Sequence, residues 1–483
     1  MSQGKQLANN ALWKYLELVS VSGIQLLSTF IFARFLVPSD YGIIGMVIVF
    51  TTLANVFIES GFSQAIIREK EVTRIDYSTI LYFNLVVSVI LYVLLFYSSG
   101  LIAQFYKEPQ LIDVCKVTFL VLPINALTIV QYSKLQREIR FKKICLIALI
   151  SILLSSIISV FIAYKYRNVW ALVSQNILTY AFKALLLWMT TDFVPLLKFS
   201  VTSFKKYFKF SKNLLLSTLI GTIFNNIYTL IIGRSYSTTD LGFFSQADRI
   251  KNLASQTTTQ VIQSVSYPIL SRINNETGDI KIAYKEIISI TIIFVGFIMS
   301  LLIGCAQDMF ELFMGDKVWR TSGTFFILMG INGILFPLHS INQNILMVKG
   351  DSKTVLWLEI ARRSIMIIIL FITLRYNIYV FVSGLTIYSI VLLFLNLYFC
   401  GKPINYSVGE QFKDTLPIFF RFALIIAVMA LVAFLMQDHT VILRLVVVNI
   451  VGASFGLVIF WRQKNFKNMI NLVKQLTKSK AKF

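Results

Sequence analysis

Apolar runs about 20 residues long follow one another from Ala11 almost to Trp461, and nothing else in the chain restricts the fold as much. Inside hydrocarbon every backbone N–H and C=O must be paired within the protein, so such runs fold as membrane-spanning helices. At that span length plus short connections, 483 residues accommodate about fourteen helices. Hydrophobic side chains make up 57% of the chain and charged ones 14%, against roughly 45–50% and 25% in soluble domains. A soluble enzyme is excluded, and the expected class is an all-α membrane protein. The first run, interrupted by Glu17, lacks the compact core and small-residue cleavage site of a signal peptide, so it reads as a first span.

The spans are expected near residues 11–36, 42–67, 78–104, 113–133, 144–164, 168–190, 210–233, 241–270, 282–306, 322–348, 354–374, 378–400, 416–436 and 440–461. The net charge of +22 would suggest a nucleic-acid partner in a soluble chain. Here it points to a membrane surface, with no nucleic acid expected. Of the 45 lysines and arginines, 29 fall on the side of the amino terminus, eight on the opposite side and eight inside spans. By the positive-inside rule both termini are expected in the cytoplasm, which an even number of spans allows. The opposite connections are short, the longest about fifteen residues near Gln307 to Thr321, and leave no room for an external catalytic domain.

Cys115, Cys145, Cys305 and Cys400 stand far apart, and His339 and His439 stand alone. Neither a disulfide framework nor a zinc site is indicated, and buried thiols are expected. The chain has no G-x-x-x-x-G-K-[ST] loop and no H-E-x-x-H, so neither nucleotide hydrolysis nor metalloprotease chemistry is expected. The reading is of a non-enzyme without cofactor or metal, driven by a gradient or by consumption of its substrate.

An internal repeat is visible. Ala33–Gly42 reads ARFLVPSDYG and Gly233–Gly242 reads GRSYSTTDLG, so that Arg34, Asp40 and Gly42 match Arg234, Asp240 and Gly242 at an offset of 200. Ile124, Asn125, Ser133, Gln136 and Lys142 match Ile331, Asn332, Ser340, Gln343 and Lys349 at an offset of 207. The implied organisation is a six-helix bundle over 1–192, a second over 205–400, two additional spans over 413–462 and a basic cytoplasmic tail over 463–483. The polar stretch from Thr191 to Lys209 would join the bundles. Six helices per half place both halves in the same orientation, as in transporters built from parallel repeats around a cavity.

The eighth span, LGFFSQADRIKNLASQTTTQVIQSVSYPIL, is too polar to face lipid. At about 100° per residue, Gln246, Arg249, Asn252, Gln256, Thr259, Gln260 and Gln263 share an arc of roughly 140°. Lys251 points to the apolar side. In the matching second span Thr52, Asn55, Glu59 and Ser63 share roughly 80°, and Glu17, Ser20 and Ser28 recur on the first. The expected cavity residues are Arg249, Gln246, Asn252, Gln256, Gln260, Gln263, Asn55 and Arg34, with Glu59 and Glu17 as candidates for coupling to proton or sodium entry.

Other roles stay open. Arg34 and Arg234 suit snorkelling to the interface, and Asp40 and Asp240 suit helix caps. Lys116, Lys183, Arg421 and Arg444 lie close enough to span ends to snorkel. Glu359 with Arg362 or Arg363 has the spacing of a self-neutralising pair. Arg249 lies roughly 12 Å inside its helix, too deep for that.

Several segments resemble the polysaccharide transporters, the Wzx-type lipid-linked oligosaccharide flippases of the multidrug/oligosaccharidyl-lipid/polysaccharide (MOP) superfamily. They are ARFLVPSDYG, ESGFSQAIIREKE (Glu59 to Glu71), LQREIRFKK (Leu135 to Lys143), LGFFSQADRI and YPILSRI (Tyr267 to Ile273). The resemblance implies two six-helix bundles with two additional helices in the bacterial inner membrane. It also implies export of an undecaprenyl-diphosphate-linked oligosaccharide for O-antigen, capsule or exopolysaccharide, alongside membrane lipids and polysaccharide polymerase machinery. It carries no short motif that assigns site residues. Two other functions compete: a multidrug cation antiporter of the same superfamily, which should present carboxylates to cationic drugs, and a polysaccharide polymerase or ligase, which needs a large external loop.

Overall fold

The computed structural model describes residues 3–59, 61–276 and 280–461; the tail expected over 463–483 lies outside the described residues. Among the described residues every regular element is helical. The chain divides into two compact units, 1–245 and 246–483.

Unit 1 contains α1 (Gln3–Ala33), α2 (Pro38–Glu59), α3 (Phe62–Arg68), α4 (Arg74–Tyr97), α5 (Ser99–Tyr106), α6 (Leu111–Thr118), α7 (Val121–Arg137), α8 (Phe141–Tyr166), α9 (Trp170–Thr190), α10 (Val201–Ser235) and the first turns of α11 (Thr238–Asn252). In unit 2, α11 runs through a π-helical stretch (Leu253–Thr257) into α12 (Thr258–Glu276). There follow α13 (Lys281–Gly304), α14 (Ala306–Met314), α15 (Arg320–Val348), α16 (Ser352–Thr373), α17 (Ile378–Gly401), α18 (Val408–Leu435) and α19 (Val441–Trp461). Among the described residues eleven segments are long and apolar enough to cross a membrane. The helix α9, the polar α11–α12 and the charged α16 stand outside those eleven.

Local chemistry sets the helix ends. Asp40 accepts from the Val37 N–H at 3.1 Å and Asp240 from the Ser237 N–H at 3.3 Å, so both matched aspartates cap the helices they open. Thr73 with Asp76 and Ser407 with Glu410 form reciprocal capping boxes. Gly61, at φ 72°, breaks the expected second span into α2 and α3; the left-handed region is accessible to glycine without a Cβ penalty.

Within unit 1, α8 packs on α1 and α9, α7 on α4 and α9, and α10 on α2, α3 and α4. The expected connector from Thr191 to Lys209 is different in the structure. Its second half is the amphipathic start of α10, burying Ser203 and Tyr207 while Lys205, Lys206 and Lys209 face out. Its first half is fastened to α4: the N–H groups of Leu196 and Ser200 donate to Ser78 and Thr79 at 2.8 and 3.1 Å, and Phe193 joins the core with Phe62, Tyr77 and Tyr207. The matched glycines meet here. A Cβ on Gly42 would fall on the Thr238 carbonyl, and one on Gly242 would fall on the Pro38 carbonyl. The first turns of α2 and α11 therefore cross backbone on backbone, each at the repeat position of the other.

Unit 2 is organised on α13, which packs against α15, α18 and α19. Small residues admit large neighbours along this contact: Gly296 receives Phe422, Gly304 and Gly452 receive Met429, and Gly456 receives Phe297. The two additional helices are thus braced against the unit. Arg444 does not snorkel: it is buried and donates through Nε and Nη2 to the Asp308 carboxylate, each at 2.5 Å. An aspartate 136 residues away on α14 provides a buried partner, and pairing there costs less than leaving the charge uncompensated.

The crossing makes a sharp prediction. Gly42→Ala or Gly242→Ala should lower the thermal unfolding midpoint of the purified protein, whereas Gly45→Ala, whose Cβ would meet Leu241 at an ordinary 3.6 Å, should leave it unchanged. Equal midpoints for Gly42→Ala and wild type would show that the turns do not approach this closely.

Candidate functional site

In unit 1 the polar residues of α1, α2, α7 and α9 pair in an ordered way. Glu17 accepts from Lys14 Nζ at 2.8 Å, and the Tyr132 hydroxyl lies 3.2 Å from Lys14 and 3.5 Å from the other Glu17 oxygen. The Lys183 ammonium stands 4.6 Å from the centre of the Tyr132 ring and within electrostatic reach of both Glu17 and Glu59. Asn55 accepts from Asn125 at 2.9 Å, and Ser133 donates to Ser63 at 2.9 Å. Glu59 ends α2 and is exposed. Arg34 stands on the exposed turn before α2; Asn55 lies about 25 Å further along that helix, so the two do not share one site.

In unit 2 the polar span bears its residues differently from an ideal helix. Gln246 is buried, Arg249, Asn252 and Gln256 are half-buried, Thr259 is buried and Gln260 is exposed. Gln263 donates to the Ser340 carbonyl at 2.7 Å. The π-helical stretch explains the change: its wider turn shifts the register, so residues before Leu253 and after Thr257 no longer lie on one 100° arc. Ser255, inside that stretch, donates to the Gly333 carbonyl of α15 at 2.6 Å. Lys251 is buried as its position suggested, and its ammonium meets Asp248 at 2.6 Å, while Asn252 donates to the same carboxylate at 2.8 Å.

One contact recurs at both offsets of the sequence matches: 63 bonds 133 in unit 1 while 263 bonds 340 in unit 2. Position 55 bonds 125, whereas 255 bonds 333, one residue beyond the repeat position of 125. Sequence reasoning missed Asp248, although its spacing of three to Lys251 was legible, and it placed Lys183 at an interface. It named the Glu359–Arg362 pair but missed its partners on α15 and α17: Arg362 donates to Glu359 and to the buried Asn396 at 2.8 Å each, and Asn396 meets His339 at 2.8 Å. Glu359 pairs with both Arg362 and Arg363, the self-neutralising arrangement. All four cysteines are free and buried.

A bundle of apolar helices that carries paired amides and charges within each unit defines a polytopic membrane protein. The protein superposes on the lipid II flippase MurJ in an inward closed conformation with a TM-score of 0.69 at 16% identity, covering 93% of this chain and 98% of that one. A family model described as polysaccharide biosynthesis protein matches residues 31–323, more than half of the chain, and the chain belongs to that family. Among its relatives are the teichuronic acid biosynthesis protein TuaB of Bacillus subtilis, 24% identical over 72% of each chain, and the lipopolysaccharide biosynthesis protein WzxC of Escherichia coli, 22% identical over 72% of this chain and 71% of the relative. The Wzx-type resemblance read from the sequence motifs is sustained.

The Lys251–Asp248 pair yields a test of charge compensation. Asp248→Leu, which strands a buried ammonium, should lower the thermal unfolding midpoint more than the double variant Asp248→Leu/Lys251→Met. A double variant no more stable than the single one would contradict the pairing.

Proposed function

We propose that the protein is an exporter of undecaprenyl-diphosphate-linked oligosaccharide repeat units, moving them from the cytoplasmic to the outer leaflet of a bacterial inner membrane by alternating access. The observation that carries this reading is the polar α11–π–α12 helix, rich in amides and carrying Arg249, in a membrane protein of the polysaccharide biosynthesis family. The fold shared with a lipid II flippase supports it. A sugar chain and a diphosphate cannot cross about 30 Å of hydrocarbon without replacement of their hydration. Amides and hydroxyls pair with sugar hydroxyls, and the guanidinium of Arg249 matches a diphosphate in bidentate geometry. The polyprenyl tail stays in lipid.

In this reading fourteen spans form two parallel six-helix repeats plus α18 and α19, with both termini cytoplasmic; the charge asymmetry and the recurring contact support that layout. Glu17 and Glu59 couple the cycle to an ion gradient. The multidrug antiporter is disfavoured because the most deeply placed charge of the polar span is a cation, and chain elongation because the longest connection on the outer side is short and includes α14.

Replacing Arg249 by Ala should cause lipid-linked repeat units to accumulate at the inner leaflet and surface polysaccharide to fall; normal surface polysaccharide would remove Arg249 from the mechanism. Replacing Glu59 by Gln should abolish the gradient dependence of flipping in liposomes. Gradient-dependent flipping at the wild-type rate would exclude Glu59 as the coupling group.

A further inference from the structure

Lys183 is the charge that the reading so far leaves without a task. It lies seven residues before the end of α9, about 10 Å along the helix axis. An ammonium at such a depth is retained where it meets protein or water rather than lipid. Its ammonium rests over the Tyr132 ring at 4.6 Å, inside the range of a cation–π contact, which holds a cation without neutralising it. Among the described residues no carboxylate lies within 4.0 Å of Lys183, although Glu17 and Glu59 both act on it from further away. Lys14 reaches the same tyrosine from its hydroxyl edge at 3.2 Å. Two ammonium groups thus converge on one ring, and the single carboxylate in contact with either is Glu17, held by Lys14. Lys14 is thereby neutralised, and Lys183 is left, among the described residues, without a carboxylate in contact on a frame fixed by α1, α7 and α9.

We propose that Lys183 and Lys14, on either side of Tyr132, form a phosphate-group site in unit 1 that takes the diphosphate of the lipid-linked substrate. The assignment rests on the flippase reading and on its placing of this end of α9 toward the cytoplasm, where the substrate is loaded. Lysine suits the task as a point charge that can follow either phosphate. Arg249 belongs to unit 2. Lys142, whose ammonium lies 5.6 Å from the Trp13 ring, adds a further cation at the same ends of α1 and α8 and raises the local concentration of anions.

The test is equilibrium binding of a short-chain prenyl diphosphate to the full-length protein in nanodiscs of neutral lipid. Lys183→Met should weaken binding about tenfold or more, the loss of one charge-assisted contact, whereas Lys183→Arg should stay within about threefold of wild type. Inorganic pyrophosphate should show the same dependence on Lys183, since the site reads phosphate and not the tail. Unchanged affinity in Lys183→Met overturns the proposal. So does loss of the Lys183 dependence in nanodiscs of phosphatidylglycerol at equal probe concentration, which would make a phospholipid headgroup the occupant. If Lys183→Met fails to fold, Lys14→Met must weaken the probe by a similar factor, and unchanged affinity there overturns the proposal equally. Failure of the flippase reading is distinguishable, because it would appear as normal distribution of lipid-linked repeat units in cells lacking the protein.

Discussion

Hydrocarbon offers no partner to a polar group, and the structure follows from that requirement. The backbone satisfies it through helices, and the polar side chains satisfy it through one another. Serine pairs with serine, asparagine with asparagine, and Arg444 finds Asp308 across 136 residues of sequence. Lys183, which has no carboxylate in contact among the described residues, rests over the ring of Tyr132.

The same requirement shapes the contacts between helices. Lipid supplies no hydrophobic drive to bring helices together, so close approach depends on small residues. Gly42 and Gly242 let two helix starts cross at their carbonyls, and the glycines of α13 and α19 receive Met429 and phenylalanine rings from their neighbours. A helix pair that looks like an appendage in sequence, α18 and α19, becomes part of unit 2 through these sockets and the Arg444–Asp308 pair. The polar span is the counterpart: a π-helical turn gives it an offset register, and backbone contacts such as Ser255 to Gly333 hold that offset in place.

Much of the fold was legible because the hydropathy of a membrane helix is a property of consecutive residues. Helices cover all the stretches expected to span, and the caps at Asp40 and Asp240 stand where the matched segments put them. The candidate site was legible in kind but not in arrangement. The arc on α11 and α12 assumed a uniform 100° per residue, which the π stretch breaks. Snorkelling for Lys183 and Arg444 assumed lipid on one side of the helix, whereas Tyr132 and Asp308 are there. The polarity of Thr191 to Lys209 reads as a connection between bundles, whereas Ser203 and Tyr207, four residues apart within it, are the buried face of the start of α10.

The sequence by itself determined that this chain spans a membrane many times and that its halves share matched segments. The first is written in near neighbours and follows from the cost of placing polar groups in hydrocarbon, and the second is written in fixed offsets. Only the tertiary structure decided that Lys183 has no carboxylate in contact among the described residues, because that depends on distance between helices. Lys251 has Asp248 one turn away, while Lys183 has an aromatic ring from another helix and no carboxylate in contact among the described residues. Pairing energies fall steeply over a few ångströms, and those ångströms are set by packing.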